Sequence, residues 1–221
     1  MKAFIISLSK IPSSIDYAQT MIPVLQNYGF DVKLFEGTYG VDAVDLIKIE
    51  NRKIHPTAYD GAVIDDNYIR LVDRPGVKGC FYRHYRLWQH CVRINEPIFI
   101  FEDDVKFYRN YVPVNGWDDV LVLCMGFDWK ISFPYLKYLE SPNGEPVAVQ
   151  YPGDCIPGTP GYAITPTGAT KLINAYSCTF APSDHCINKS VVNIKYHNYL
   201  MGRALTKKDG KPSLTKTTFW D

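Results

Sequence analysis

Apolar and polar positions along this chain follow two periods, and the switch between them sorts most of the sequence into strands and helices. Residues 2–8 form an apolar run that reads as a first β-strand. Pro12-Ser13-Ser14 supplies a turn and a cap, and a helix is expected over about 14–28, with Ile15, Met21, Ile22 and Leu25 on its apolar side. Gly29 ends that helix and Asp31-Val32-Lys33-Leu34-Phe35 follows as a second strand. The chain therefore opens as a βαβ unit, whose strands should be parallel and whose crossover should be right-handed. A short helix is expected around Ala43 to Ile49, and Lys53 to Val77 is irregular, rich in Pro, Gly and Asp. From Gly79 to about Asn95 a stronger helix is predicted, because Phe81, Tyr85, Trp88 and Val92 recur with the spacing of one core-facing stripe.

That helix leads directly into Ile98-Phe99-Ile100-Phe101, an apolar run that reads as a strand buried on both faces. Val120 to Met125 reads the same way, Pro134 to Pro146 as an extended excursion, and residues 147–150 and 162–165 as further strands. A helix should begin at Thr167 or Gly168 and run through Tyr176, and a last one, capped by Ser183, should span about 184–192. Ile194 to Tyr199 is a late strand candidate, and Lys207 to Lys211 a turn or loop. Strands alternating with helices predict a single α/β domain over 1–221 with a mostly parallel sheet, and residues 203–221 as a basic tail. No repeat, low-complexity segment or linker interrupts it.

Composition narrows the function classes. A hydrophobic fraction of 46% in 221 residues supports a sizeable core without staples. Lys and Arg total 24 against 23 for Asp and Glu, so no global field steers the chain toward nucleic acid or an anionic membrane, and such a partner would need a local patch. The first residues are too short an apolar stretch for a signal peptide, and no segment approaches a spanning helix, so a cytoplasmic location is expected. The six cysteines form no CxxC pair, which argues against a zinc site or a disulfide framework and leaves buried thiols as the expectation.

The candidate chemistry lies where the apolar strand at 98–101 ends in Glu102-Asp103-Asp104. Carboxyl ends of strands are where α/β sheets bind ligands. Three adjacent carboxylates repel one another, and water, hydrogen bonds or a divalent cation must compensate. The residues suggest a metal-diphosphate site, with a solvated turn as the plain alternative.

Around this triplet the sequence resembles glycosyltransferase family 25. The resemblance is carried by Pro75-Gly76-Val77-Lys78-Gly79-Cys80, His84, Leu87-Trp88, Glu102-Asp103-Asp104, Gly158-Thr159-Pro160-Gly161-Tyr162 and Ser183-Asp184-His185, in that order. Ile6-Ser7-Leu8 and Phe35-Glu36-Gly37 also fit, so the likeness extends from residue 2 to about 200. The family includes lipooligosaccharide and collagen galactosyltransferases. The resemblance implies a GT-A-type, Rossmann-like fold, a nucleotide-sugar donor (a UDP-sugar first), Mn²⁺ or Mg²⁺, and inverting transfer. Two departures are visible: Arg83-His84 replaces the usual Ser-His, and the tail after Gly202 is short.

In the resemblance, Glu102-Asp103-Asp104 stands where these folds carry Asp-x-Asp. Asp104 is the first candidate for direct metal ligation, with Glu102 on the donor ribose or a metal-bound water and Asp103 assisting. His197 is the candidate distant ligand and His185 its competitor, a histidine satisfied by backbone being the alternative for His197. Asp184, just inside a predicted helix start, is the candidate general base, although acidic residues also favour helix N-termini for stability alone. Ser7, Leu8 and Lys10 follow the first strand, where base and ribose would dock. Lys78 and Gly79 are candidates for approach to the donor, and His84 for the diphosphate or for holding the same loop; structural roles compete for each. Tyr162 is a candidate for stacking on an acceptor ring, with core packing as its rival. Two acceptors compete, a surface glycan of lipooligosaccharide type and a hydroxymethylated pyrimidine in phage DNA. For the latter, Arg203, Lys207, Lys208, Lys211 and Lys216 could meet phosphates, and Phe219 or Trp220 a base. A non-catalytic sugar-nucleotide-binding module is the reading from another class.

Overall fold

The computed structural model describes residues 1–55, 69, 72–125, 145–150, 153–156 and 158–204. Strands β1 (Lys2–Ser7) and β2 (Asp31–Glu36) flank helix α1 (Pro12–Asn27) and pair in parallel, as the opening βαβ pattern requires. Helix α2 (Gly40–Ile49) and a two-residue strand β3 (Lys53–Ile54) follow, then the long helix α3 (Pro75–Ile94). The chain continues through β4 (Ile98–Glu102), β5 (Val105–Phe107), β6 (Val120–Met125), β7 (Ala148–Gln150) and β8 (Gly161–Ile164). It closes with α4 (Pro166–Ala175), β9 (Thr179–Phe180), α5 (Ser183–Cys186), β10 (Ile194–His197) and β11 (Gly202–Ala204).

Among the described residues the main sheet has nine strands, in the order β2-β1-β4-β8-β6-β10-β7, with β11 beside β6 and β5 beside β11. Strands β1, β2, β4, β6, β10 and β11 run one way and β5, β7 and β8 the other, so the sheet is mostly parallel, as expected. The two-residue period of the strands splits the core in two. Phe4, Ile6, Ile98, Ile100, Val120 and Val122 face α2, α3 and α4. Ala3, Ile5, Phe99, Phe101, Leu121 and Leu123 face α1 and the segment around Tyr111 and Val114.

Several expectations shift. Ser14 does not cap α1: its Oγ accepts from the Leu8 N–H at 2.9 Å, and the helix begins with Pro12 after Ile11. Helix α3 starts at Pro75, four residues before the apolar stripe suggested, because proline at a helix start has its φ set already and no N–H to leave unpaired. Asn95, at φ 51°, ends it. The predicted 184–192 helix is a single turn, since Asn188 Nδ2 donates to the His185 and Cys186 carbonyls and stops the ladder. Ser183 does not cap it. Arg203 and Ala204 belong to β11 rather than to a tail; residues 205–221, most of the irregular stretch and nearly all of the 134–146 excursion lie outside the described residues. None of the six cysteines is in a disulfide. No described helix is long and apolar enough to cross a membrane.

Candidate active site

Strand period and helix period bring the site together. Glu102 falls on the same face of β4 as Ile98 and Ile100, the face covered by α3, where Cys80, His84 and Trp88 share one stripe four residues apart. Two hydrogen-bond chains converge on Glu102 Oε1. In the first, the Trp88 Nε1–H donates to Tyr162 OH at 2.9 Å, and Tyr162 OH lies 2.9 Å from His84 Nδ1. An indole can only donate, so the Tyr162 hydroxyl hydrogen is free for Nδ1, which leaves the proton on Nε2 facing Glu102 Oε1 at 3.4 Å. In the second, Thr159 Oγ1 donates to Oε1 at 2.8 Å and therefore accepts from Ser183 Oγ at 3.0 Å, which in turn accepts from the Cys80 thiol at 3.1 Å. The Glu102 N–H donates to Pro160 O, and Gly161 lets the strand approach closely, since a Cβ there would lie 2.8 Å from Phe101 and Cys124 atoms.

The electrostatics follow from this wiring. Burial alone would raise Glu102, but the hydrogen bond from His84, then that from Thr159 and the charge of Arg83, hold its carboxyl below the usual value. Asp103 is pushed up to about 6 by burial and by the neighbouring Glu102, despite a hydrogen bond from Ser14 and the charge of Arg83. Asp184, next to Ser183 on α5, is raised by burial and by Glu102 against the charge of His185 and backbone N–H groups including that of Gly158. Asp103 and Asp104 occupy the turn between β4 and β5.

Ser7, Leu8 and Lys10 lie at the end of β1 and are tied to the end of β2. Gly37 N donates to Ser7 O at 2.7 Å, Ser9 N and Oγ donate to Glu36 Oε1, and Lys10 N donates to Tyr39 OH. Other candidates are engaged elsewhere. Lys78 Nζ bonds Asp73 Oδ1 at 2.5 Å. Gly79 packs α3 on α2: a Cβ there would lie 3.0 Å from Thr38 O and 3.1 Å from Gly40 N. His84 is fully buried, so it supports Glu102 rather than offering a surface for diphosphate. His197 is corrected most clearly: its Nε2 donates to Val112 O at 2.7 Å and its Nδ1 accepts from Tyr199 N at 3.1 Å, so no lone pair remains for a metal. Its competitor His185 sits on α5 beside Asp184, and burial lowers it. Arg203 lies over the Tyr108 ring, 5.6 Å from its centroid. Tyr162 is fully buried and belongs to the core. Sequence reasoning passed over the roles of Thr159, Cys80 and Arg83. The i, i+4 series Cys80, His84 and Trp88, ahead of an acidic strand end, was the available signal for these chains of contacts.

A hard divalent cation needs oxygen ligands, and Glu102, Asp103 and Asp104 offer carboxylates at consecutive positions. The raised Asp103 fits such an ion, because a carboxylate pushed up by burial and by a neighbouring carboxylate is relieved by a cation. Cys80, His84 and Glu102 also bring one potential ligand atom each within 4.8 Å of one another. That trio suits a softer ion less well than its spacing suggests. Burial, then Glu102, pushes the Cys80 thiol up to about 12, and His84 Nε2 is directed at Glu102. The donor set therefore fits a hard divalent cation on the acidic turn, with the Cys80–His84 face as support.

Residues 1–115 match the profile of glycosyltransferase family 25 (LPS biosynthesis protein). No curated protein matches significantly. Among solved structures, mouse xyloside xylosyltransferase 1 in its apo form aligns at 13% identity over 89% of this chain and 70% of that one, with a TM-score of 0.33. The family match takes in more than half of the chain, including β1, β2, α3, β4 and the carboxylates that end β4. The chain thus belongs to glycosyltransferase family 25 and is a glycosyltransferase.

Proposed function

We propose that the protein is a metal-dependent, inverting enzyme that moves a sugar from a nucleotide donor, a UDP-sugar first, to an acceptor hydroxyl. Asp104 is the direct metal ligand, Asp103 assists, and Glu102, whose Oε1 is saturated with donors, presents Oε2 to the donor ribose or to a metal-bound water. Bound there, Mn²⁺ or Mg²⁺ would supply Lewis acidity toward the leaving diphosphate. Ser7, Leu8 and Lys10 form the edge for base and ribose, at the carboxyl end of β1.

Asp184 is the general base. Inversion takes one displacement: the acceptor oxygen bonds to the anomeric carbon as the bond from that carbon to the diphosphate breaks. The bonding electrons leave with the phosphate and the hydroxyl proton passes to the carboxylate of Asp184. A carboxyl raised by burial holds that proton better than an exposed one. The observation that carries this reading is the bond path Glu102-Thr159-Ser183, which fixes the turn bearing Asp184 to the carboxylate at the end of β4.

For the acceptor, a surface glycan of lipooligosaccharide type is favoured by the family's description as an LPS biosynthesis protein. The basic residues that would favour DNA lie outside the described residues, except Arg203, which is part of β11. The test is release of nucleoside diphosphate from UDP-, GDP- and CMP-sugars with Mn²⁺, with and without saccharide acceptors. Acceptor-stimulated, metal-dependent release is expected. Release from none of these donors by the folded protein would remove the proposal.

A further inference from the structure

We infer that Arg83 binds the donor diphosphate, as a fixed cationic fork beside the acidic turn. This rests on the nucleotide-sugar reading above and adds to it the group that receives the phosphates.

Arg83 lies on α3 and is only 8% exposed. Its stem is clamped: a Cβ added at Gly37 would stand 3.1 Å from Arg83 Cδ, 3.2 Å from its Cγ and 3.1 Å from Leu8 Cδ2. Its Nε donates to Thr38 O at 3.0 Å. The side chain is thus held between the turn after β2 and the turn after β1, on the sheet edge where β4 also ends, one strand away. Its two Nη atoms make no hydrogen bond or ion pair with any described residue, and neither is sealed from solvent. Deeply buried arginines are ordinarily paired, because burying an unpaired charge is costly. One whose Nε is fixed and whose terminal N–H groups are uncommitted is suited to an anion that takes two parallel hydrogen bonds.

The surroundings select a diphosphate. Glu102, Asp103 and Asp104 would repel phosphates without a compensating charge, and Arg83 is a cation held at the turns after β1 and β2, beside Leu8 on the edge where the base would dock. Among the described residues near this edge, Lys78 pairs with Asp73, Lys10 lies over the Tyr39 ring at 4.9 Å and Arg86 over the Phe35 ring at 5.4 Å.

The test is calorimetric titration of the full chain with UDP and GDP and with the corresponding nucleosides, with and without Mn²⁺. Arg83→Gln should weaken the nucleoside diphosphate by about tenfold or more while nucleoside affinity stays within about twofold, and Arg83→Lys should fall between. Unchanged diphosphate affinity in Arg83→Gln, or equal weakening of diphosphate and nucleoside, would overturn the assignment. Should Arg83→Gln fail to fold, the wild type without divalent cation decides. A preference for diphosphate over nucleoside of about tenfold, weakening with salt, supports the fork, and no preference refutes it. Failure of the wild type to bind any of these ligands, even with Mn²⁺, would instead remove the donor reading itself, and the role of Arg83 with it.

Discussion

Asp184 carries the most demanding assignment of any single residue. Asp184→Asn keeps the shape and removes the base, so transfer should fall by about 10²–10⁴-fold while nucleoside diphosphate affinity is retained. Normal transfer by this variant would take Asp184 out of the mechanism. Because burial raises its carboxyl, the acid limb of kcat/KM should fall at a pH above the ordinary aspartate value, where the base becomes protonated. Asp103 makes a stability prediction. Its folded value of about 6 exceeds the 3.8 of an unperturbed aspartate, so the folded chain binds this proton more tightly than the unfolded one. The group therefore favours folding most below about pH 4, loses that contribution as pH rises to about 6, and adds no further loss above. Asp103→Asn should raise the metal-free melting temperature at pH 8 and not at pH 3.5; equal effects at both would contradict the shift. At this scale the carboxylates were legible, since an acidic triplet at the end of an apolar run stands out in any reading. His197 was misleading because a histidine's partners are set by tertiary contacts, here Val112 and Tyr199, which sequence spacing does not reveal. Arg83 was passed over for a similar reason: its meaning comes from the Gly37 and Thr38 clamp, contributed from 45 residues away in the case of its hydrogen bond.

Helix α3 shows how one element does two jobs. One stripe packs Phe81, Tyr85 and Trp88 into the core, and the other contacts set Glu102 through His84. Tyr162→Phe removes the hydroxyl shared by Trp88 and His84, which should cost about 1–3 kcal/mol in chemical denaturation and also lower turnover through a misplaced Glu102. Wild-type stability and turnover together would show the chain to be incidental. At the α2–α3 contact, Gly79→Val should destabilise by about 1–3 kcal/mol, because the added atoms meet backbone of Thr38 and Gly40 rather than a flexible side chain; an unchanged midpoint would contradict that packing. Long periodic elements were readable from sequence to within a few residues. The one-turn α5 was not, since the stop comes from the Asn188 side chain folding back on the carbonyls of the turn rather than from a Gly or Pro signal.

The described residues build a main sheet with a separate apolar layer on each face, which is why strands such as 98–101 and 120–125 read as continuous apolar runs. That pattern made the α/β class legible. It could not reveal that β8 enters antiparallel between β4 and β6, because burial on both faces is the same for either direction. This insertion matters for the site, since β8 delivers Tyr162 and the preceding Thr159 beside Glu102. The short strands β3, β5 and β11 were unreadable because two or three residues carry too little periodicity. The central claim is that the carboxylates ending β4 hold a divalent cation against the departing diphosphate. It is tested most directly by Mn²⁺-dependent release of nucleoside diphosphate from a sugar-nucleotide panel by wild type and Asp104→Asn. The account predicts release by the wild type only with the metal and its loss in a folded Asp104→Asn protein; metal-independent release, or full metal-stimulated release by the variant, would contradict it.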